Sequence, residues 1–199
     1  MRRLVLATED ALSEAIGQRL VDDTGSDLTV TERLRRRGFG YLKSRIRNFC
    51  EIARRAPVLL LTDLDTEECP ATLIDDWSRR DTIPRQLLFR VAVRQVESWL
   101  LADRDGMAHL LRISVRHVPL DPDALPDAKR SLLQLAKRAP RAVREDLVGE
   151  SGSTAAQGLG YNSVLSNFVR TSWDPSRAGQ QSNSLARARR RLNELATAS

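Results

Sequence analysis

Two aspartates follow directly on an apolar run in the segment LLLTDLDTE, residues 59–67. A third acid, Glu9, follows the first apolar run of the chain, RRLVLAT at residues 2–8. Two carboxylates ~4 Å apart repel by roughly 4 kcal/mol at an effective dielectric near 20. A cluster of three is therefore costly unless a cation lies between them. Mg²⁺ binds through one or two carboxylates, water and substrate phosphate. Glu9, Asp63 and Asp65 therefore predict a Mg²⁺ or Mn²⁺ site for phosphodiester chemistry.

The acids need rigid elements to position them, and residues 1–105 alternate strand and helix patterns. The strand patterns occupy residues 2–8, 27–30, 57–65 and 87–93. This alternation predicts an α/β fold with a doubly wound, mainly parallel four-stranded sheet. Ligands of such sheets bind outside the carboxyl ends of the strands, where the acids that follow strands one and three should converge.

Glu97 begins the helix predicted after the fourth strand and is a further metal-ligand candidate at the same edge. Its alternative role is an ion pair with Arg94 or Arg90. Glu9 has an alternative role at the N-terminus of the next helix, which Asp10 is equally placed to fill.

Helix patterns alone follow residue 105, which predicts an α/β core over 1–105 and a helical extension over 106–199 packed on that core. The extension's helix patterns are DGMAHLLRI, LPDAKRSLLQLAKRA, YNSVLSNFVRTSW and NSLARARRRLNELA. The last of these is expected to be capped by Ser182 or Ser184.

The composition places the chain in the globular class. It has 199 residues, of which 41% are hydrophobic and 29% charged, unlike a disordered chain. No apolar run approaches the ~20 residues of a membrane helix, so no membrane partner is expected. Cys50 and Cys69 lack metal-ligand spacing and are predicted to be free thiols of a cytoplasmic protein. An oligomeric state is left open.

The net charge of +6 is carried mainly by arginines and favours a polyanionic partner, with DNA expected before RNA. The predicted nucleic-acid contacts surround the segment RRGFGY: Arg35, Arg36, Arg37, Lys43, Arg45 and Arg47. Glycines there would let the backbone approach phosphate, and Tyr41 could stack on a base. The alternative is a solvated basic face without a partner.

A glutamate after the first strand and a D-x-D after a later strand resemble the Toprim domain of topoisomerases, primases and OLD-type nucleases. The segment TEDALSEAI stands where that family has an E-G-x-x-D/E turn, with Asp10 replacing the glycine. The segment AVRQVESWLLAD resembles a signature of small Toprim-like proteins from bacterial defence and mobile-element neighbourhoods. The resemblance implies Mg²⁺-dependent strand cleavage or joining, with Glu9 as general acid/base and Asp63 and Asp65 holding metal. It also implies an ABC-type ATPase partner for some relatives.

Two other functions remain open. The segment LLLTDLDTE matches the hhhhDxDxT motif of haloacid-dehalogenase-type phosphatases, with Asp63 as nucleophile and Asp65 as acid/base. That family should also have a later strand ending in paired aspartates, whereas Asp75 and Asp76 lie in a predicted helix. The other alternative is a non-catalytic nucleic-acid- or partner-binding subunit, which metal-dependent activity would exclude.

Overall fold

The computed structural model of the protein describes residues 2–25, 28–35, 40–79, 81–149 and 155–197. Its described strands form one four-stranded sheet, in which every strand pair is parallel and the order is β2-β1-β3-β4. Their bounds are β1 Arg2–Thr8, β2 Leu28–Arg35, β3 Val58–Asp63 and β4 Leu87–Ala92. The predicted parallel α/β class is confirmed, and β1 and β3 are central neighbours.

Helices cover both faces of the sheet and continue after it. Their bounds are α1 Ala11–Asp22, α2 Tyr41–Ser44, α3 Ile46–Ala53, α4 Pro70–Ser78, α5 Val96–Ala102, α6 Arg104–Leu111, α7 Ala128–Ala136, α8 Arg141–Leu147, α9 Tyr161–Thr171, α10 Pro175–Gly179 and α11 Asn183–Thr197. Among the described helices, none is long and apolar enough to cross a membrane. Ser182 caps α11, since its Oγ accepts a hydrogen bond from the Leu185 backbone N–H at 3.2 Å.

The central strands are apolar on both faces because each face packs against a separate layer of helices. Leu4 and Leu6 of β1 belong to the core that α1, α5 and most of the extension cover. Val5 and Ala7 point to the other face, which α2, α3 and α4 cover. A strand buried on both faces cannot alternate polar and apolar residues, and this explains the leucine run that precedes Asp63.

The second strand is longer than its sequence pattern predicts. We expected a strand over 27–30, but β2 continues to Arg35 and pairs with β1 along its length. It lies at the edge of the sheet, and its second half is largely exposed. An edge strand tolerates charged side chains that a central strand would exclude.

The extension shares its core with the sheet. One hydrophobic cluster includes Leu6 of β1, Trp99 of α5, Trp173 after α9 and Leu192 of α11. The Trp173 indole N–H donates to the Trp99 carbonyl at 3.1 Å. The C-terminal helical extension is confirmed, and its apolar side chains share a cluster with those of the sheet. The division of the chain into domains at residue 105 stays a prediction.

Candidate functional site

Four carboxylates lie around the C-terminal edge of the central strands, and we call this group the acidic edge: Glu9, Asp63, Asp65 and Glu97. Glu9 follows β1, and Asp63 is the last residue of β3, the neighbouring strand. Glu97 is the second residue of α5, which follows β4. The parallel topology therefore brings together acids that are far apart in the sequence.

Glu9 is held by a side chain of the neighbouring strand. The hydroxyl of buried Thr62 donates to Glu9 Oε1 at 3.0 Å. Capping of α1 falls to Asp10, whose Oδ1 accepts from the Ser13 backbone N–H at 2.7 Å, so the capping alternative for Glu9 is wrong. Burial raises the pKa of the Glu9 carboxyl, the Thr62 hydrogen bond opposes this, and the charges of Asp65 and Asp10 raise it further.

Asp63 caps a helix that follows a different strand. Its Oδ1 accepts from the backbone N–H of Val96, the first residue of α5, at 2.9 Å. The residue at the usual capping position, Gln95, makes no side-chain cap there. Burial raises the pKa of Asp63 well above its usual value, the charges of Glu97 and Asp65 add to this, and the Val96 N–H opposes it.

Asp65 occupies a left-handed backbone conformation with φ of 49°, which aspartate adopts more readily than most residues. Backbone hydrogen bonds continue past the end of β3, including Asp65 N–H to the Arg94 carbonyl at 2.8 Å. The Arg94 guanidinium donates to the carbonyls of Asp65 and Glu67 at 3.1 and 2.8 Å. Arg94 therefore fixes the turn that carries Asp65, whose carboxyl pKa is raised by burial.

Glu97 is buried, at 5% exposure, and bonded to a residue of the extension. Its Oε1 accepts from the hydroxyl of Tyr161, the first residue of α9, at 2.8 Å. The alternative role of Glu97, an ion pair with Arg94 or Arg90, is wrong for the described residues. Arg94 donates to backbone carbonyls, and the buried Nε of Arg90 has no hydrogen-bond partner. Burial raises the pKa of Glu97, whereas the Tyr161 bond and the Lys129 charge lower it.

The sequence did not identify Tyr161, Thr62 or Arg94 as site residues. Each acts through a contact whose partner is distant in the chain, and none belongs to a motif of its own. The sequence suggested Arg94 only as an ion-pair partner of Glu97. Its observed partners are backbone carbonyls, which no sequence pattern indicates.

The donors of the acidic edge suit Mg²⁺ or Mn²⁺. In the described part of the chain, none of the four carboxylates forms an ion pair. No three described His, Cys, Asp or Glu side chains are grouped closely enough to enclose an ion. Mg²⁺ needs only one or two carboxylates when water and phosphate complete its shell. Asp63 and Asp65, two positions apart at one strand end, are the residues that would hold it.

The described members of the predicted nucleic-acid contacts lie at the end of β2 and along the α2–α3 segment. Arg35 lies on β2 and pairs with Glu14 at 3.4 Å, and Lys43 on α2 pairs with Asp76 at 2.6 Å. Arg45 and Arg47 are exposed. The remaining two predicted contacts, Arg36 and Arg37, lie outside the described residues.

Comparisons of the chain with protein-family models, curated proteins and solved structures find no match. The Toprim resemblance therefore rests on the sequence motifs alone. The phosphatase alternative lacks its paired aspartates, because β4, the last strand of the described chain, is followed by Val93, Arg94 and Gln95. Asp75 and Asp76 lie within α4.

Replacing Tyr161 with phenylalanine should remove the only side-chain donor that the described residues offer to the Glu97 carboxylate and leave it the Glu97 backbone N–H. An unsatisfied buried group costs about 1–3 kcal/mol, so the melting temperature should fall at neutral pH. The pKa of Glu97, already raised, should rise further. A raised folded-state pKa contributes stability below the unfolded pKa that is lost as pH rises, so the deficit should shrink towards pH 4.

Melting curves across this pH range test the prediction, with Tyr41→Phe as control because Tyr41 is the chain's other tyrosine and lies on the opposite face of the sheet. Parallel pH profiles for the two variants would show that the Tyr161 hydroxyl does not support Glu97.

Proposed function

We propose that the protein is a Mg²⁺- or Mn²⁺-dependent nuclease of the Toprim type, with DNA as its substrate. The observation that carries the proposal is the contrast between the acidic edge and Asp103. Asp103 is fully buried, but the guanidinium of Arg177 donates to both of its oxygens at 2.8 Å. In the acidic edge, Glu97 is buried, Glu9 and Asp63 are half-buried and Asp65 is exposed. All four carboxyls have raised pKa values, and none forms an ion pair with a described residue. Such uncompensated charge is typical of functional sites.

Each side chain has a role in this proposal. A divalent ion would neutralise charge on the scissile phosphate and make bound water more acidic. Asp63 and Asp65 would hold the ion, and Glu97 would add negative charge beside Asp63. Glu9 accepts the proton of the attacking water, since its raised pKa lies closer to neutrality than that of an ordinary carboxyl. Thr62 is a positioning residue that orients Glu9.

Nicking and cleavage of plasmid and single-stranded DNA in Mg²⁺, Mn²⁺ or EDTA test the proposal. The parent protein should cleave with either metal and not in EDTA. Asp65→Asn should abolish cleavage, because the amide keeps the shape and tolerates the left-handed backbone but supplies no charge for the metal. The matched control is Asp75→Asn, an exposed position in α4. No cleavage by the parent under any of these conditions would contradict the proposal.

A non-catalytic nucleic-acid-binding subunit is the second candidate. It is favoured by the exposed Arg45 and Arg47, which form no ion pair with a described residue. This candidate predicts DNA binding that is unaffected by Asp65→Asn and by EDTA. An ABC-type ATPase partner, a role in bacterial defence, oligomer formation and a cytoplasmic location stay predictions.

A further inference from the structure

A groove lined by basic side chains adjoins the acidic edge. It lies between α7 and the antiparallel bridge that pairs Val148 with Gln157, and we call it the α7 groove. Its volume is about 850 Å³. Its polar lining is formed by one acid, Asp127, and by Gln95, Lys129, Arg130, Gln134, Lys137 and Gln157.

Two contacts connect the groove to the acidic edge. The Gln95 side-chain carbonyl accepts from the Lys129 backbone N–H at 3.0 Å, and Gln95 directly precedes Val96, whose N–H binds Asp63. The Lys129 ammonium lies 5.2 Å from the centroid of the Tyr161 ring, whose hydroxyl binds Glu97. One end of the groove therefore begins where the acids are held.

The groove has an excess of positive charge. Lys129, Arg130 and Lys137 form no ion pair with a described residue. The acid at its margin, Asp127, is engaged as the cap of α7, where it accepts from the Arg130 backbone N–H at 2.7 Å. The basic side chains are therefore available to an anionic ligand. Lys129 and Lys137 are eight residues apart, which is about 12 Å along a helix.

The opposite wall is built by close backbone contact. Gly149 N–H donates to the Ala156 carbonyl and Gly158 N–H to the Leu147 carbonyl, each at 2.9 Å. A side chain at Gly149 would not fit, because its Cβ would lie 2.2 Å from the Ala155 carbonyl oxygen. The two glycines thus allow the backbone segments of this wall to lie in direct contact beside α7.

We infer that the α7 groove binds the phosphate backbone of a single DNA strand that leads away from the acidic edge. The inference rests on the proposed function. Arginine and lysine in an open groove bind phosphate oxygens through charge-assisted hydrogen bonds, and a row of them tracks a strand without reading its sequence. A volume of this size is that of a site for a small ligand, ~300–1,000 Å³. This volume accommodates the backbone of one strand.

Binding of a short labelled single-stranded DNA, measured in EDTA as a function of salt, tests the inference. Each phosphate contact on a single strand contributes about −0.7 to the log–log slope, so Arg130→Ala combined with Lys137→Ala should reduce its magnitude by roughly 1.4. Lys129 is kept because it packs on Tyr161. The charge-matched control is Arg138→Ala combined with Arg144→Ala, both exposed positions that do not line the groove.

An unchanged slope in the control and a reduced slope in the groove variant, at unchanged melting temperatures, would support the inference. An equal loss in both variants would overturn it, because bulk charge would then explain the binding. An equal loss on blunt duplex DNA would also overturn it, because a groove for one strand discriminates against a duplex. No cleavage is required for this measurement. Groove-dependent binding by a protein that cleaves nothing would therefore contradict the proposed function and leave the inference standing.

Discussion

Replacing Glu9 with glutamine should lower metal-dependent cleavage by about 100-fold or more while DNA affinity stays unchanged. Glutamine keeps the length of the side chain, and its carbonyl can still accept the Thr62 hydrogen bond that now holds Glu9 Oε1. The variant loses only the negative charge and the ability to accept a proton. Single-turnover cleavage rates and binding isotherms measured on the same DNA separate these two effects.

The pH dependence of the cleavage rate should also differ between the parent and Glu9→Gln. The parent rate should rise with pH as Glu9 loses its proton, above the range of an ordinary glutamate because its pKa is raised. That ascending limb should be missing in Glu9→Gln. Glu51→Gln is the control, since Glu51 is an exposed glutamate of α3 paired with Arg54. If Glu9→Gln cleaves as fast as the parent, Glu9 has no part in the mechanism.

Asp63→Asn should raise the melting temperature of the metal-free protein at neutral pH. Burial and the charges of Glu97 and Asp65 raise the folded-state pKa of Asp63, so the ionised carboxylate destabilises the fold. Each unit of raised pKa corresponds to about 1.4 kcal/mol, and each kcal/mol to roughly 2–4 °C for a chain of this size. The asparagine carbonyl can still accept from Val96 N–H.

The stabilisation by Asp63→Asn should depend on pH. With a raised pKa, the Asp63 carboxyl contributes stability that is fully present below the unfolded aspartate pKa of about 3.9 and is lost as pH rises through the folded value. The gap between Asp63→Asn and parent should therefore widen from about pH 4 to neutrality. Mg²⁺ should stabilise the parent by mass action but not the variant. A variant that melts below the parent in EDTA at neutral pH would mean that the Asp63 charge is compensated. Asp75→Asn, which is exposed, should show neither effect.

The parallel α/β fold and the placement of acidic residues at one edge of the sheet could be predicted from local sequence patterns. A leucine run that ends at Asp63 indicates a central parallel strand, and parallel strands place their following residues at one edge. The partners of the acids did not follow, because Asp63 with Val96 and Glu97 with Tyr161 are chosen by the packing of helices distant in sequence. Tertiary packing decides such pairs, so charge alone led to the wrong partner for Glu97.

The length of β2 was underestimated for a related reason. The predicted strand covered residues 27–30 only, but an edge strand exposes one side and needs no apolar run. The metal, the nuclease activity and the DNA substrate stay predictions, because they depend on ligands rather than on the chain's own contacts.

The hydrogen bond between Tyr161 and Glu97 can form only after α9 has been synthesised. Chains emerge from the ribosome N-terminal end first, and the sheet with all four acids precedes Tyr161 in that order. A nascent chain that ends before α9 has the acids but lacks the Tyr161 hydroxyl that donates to Glu97. The acidic edge therefore takes its final form only after α9 has been synthesised.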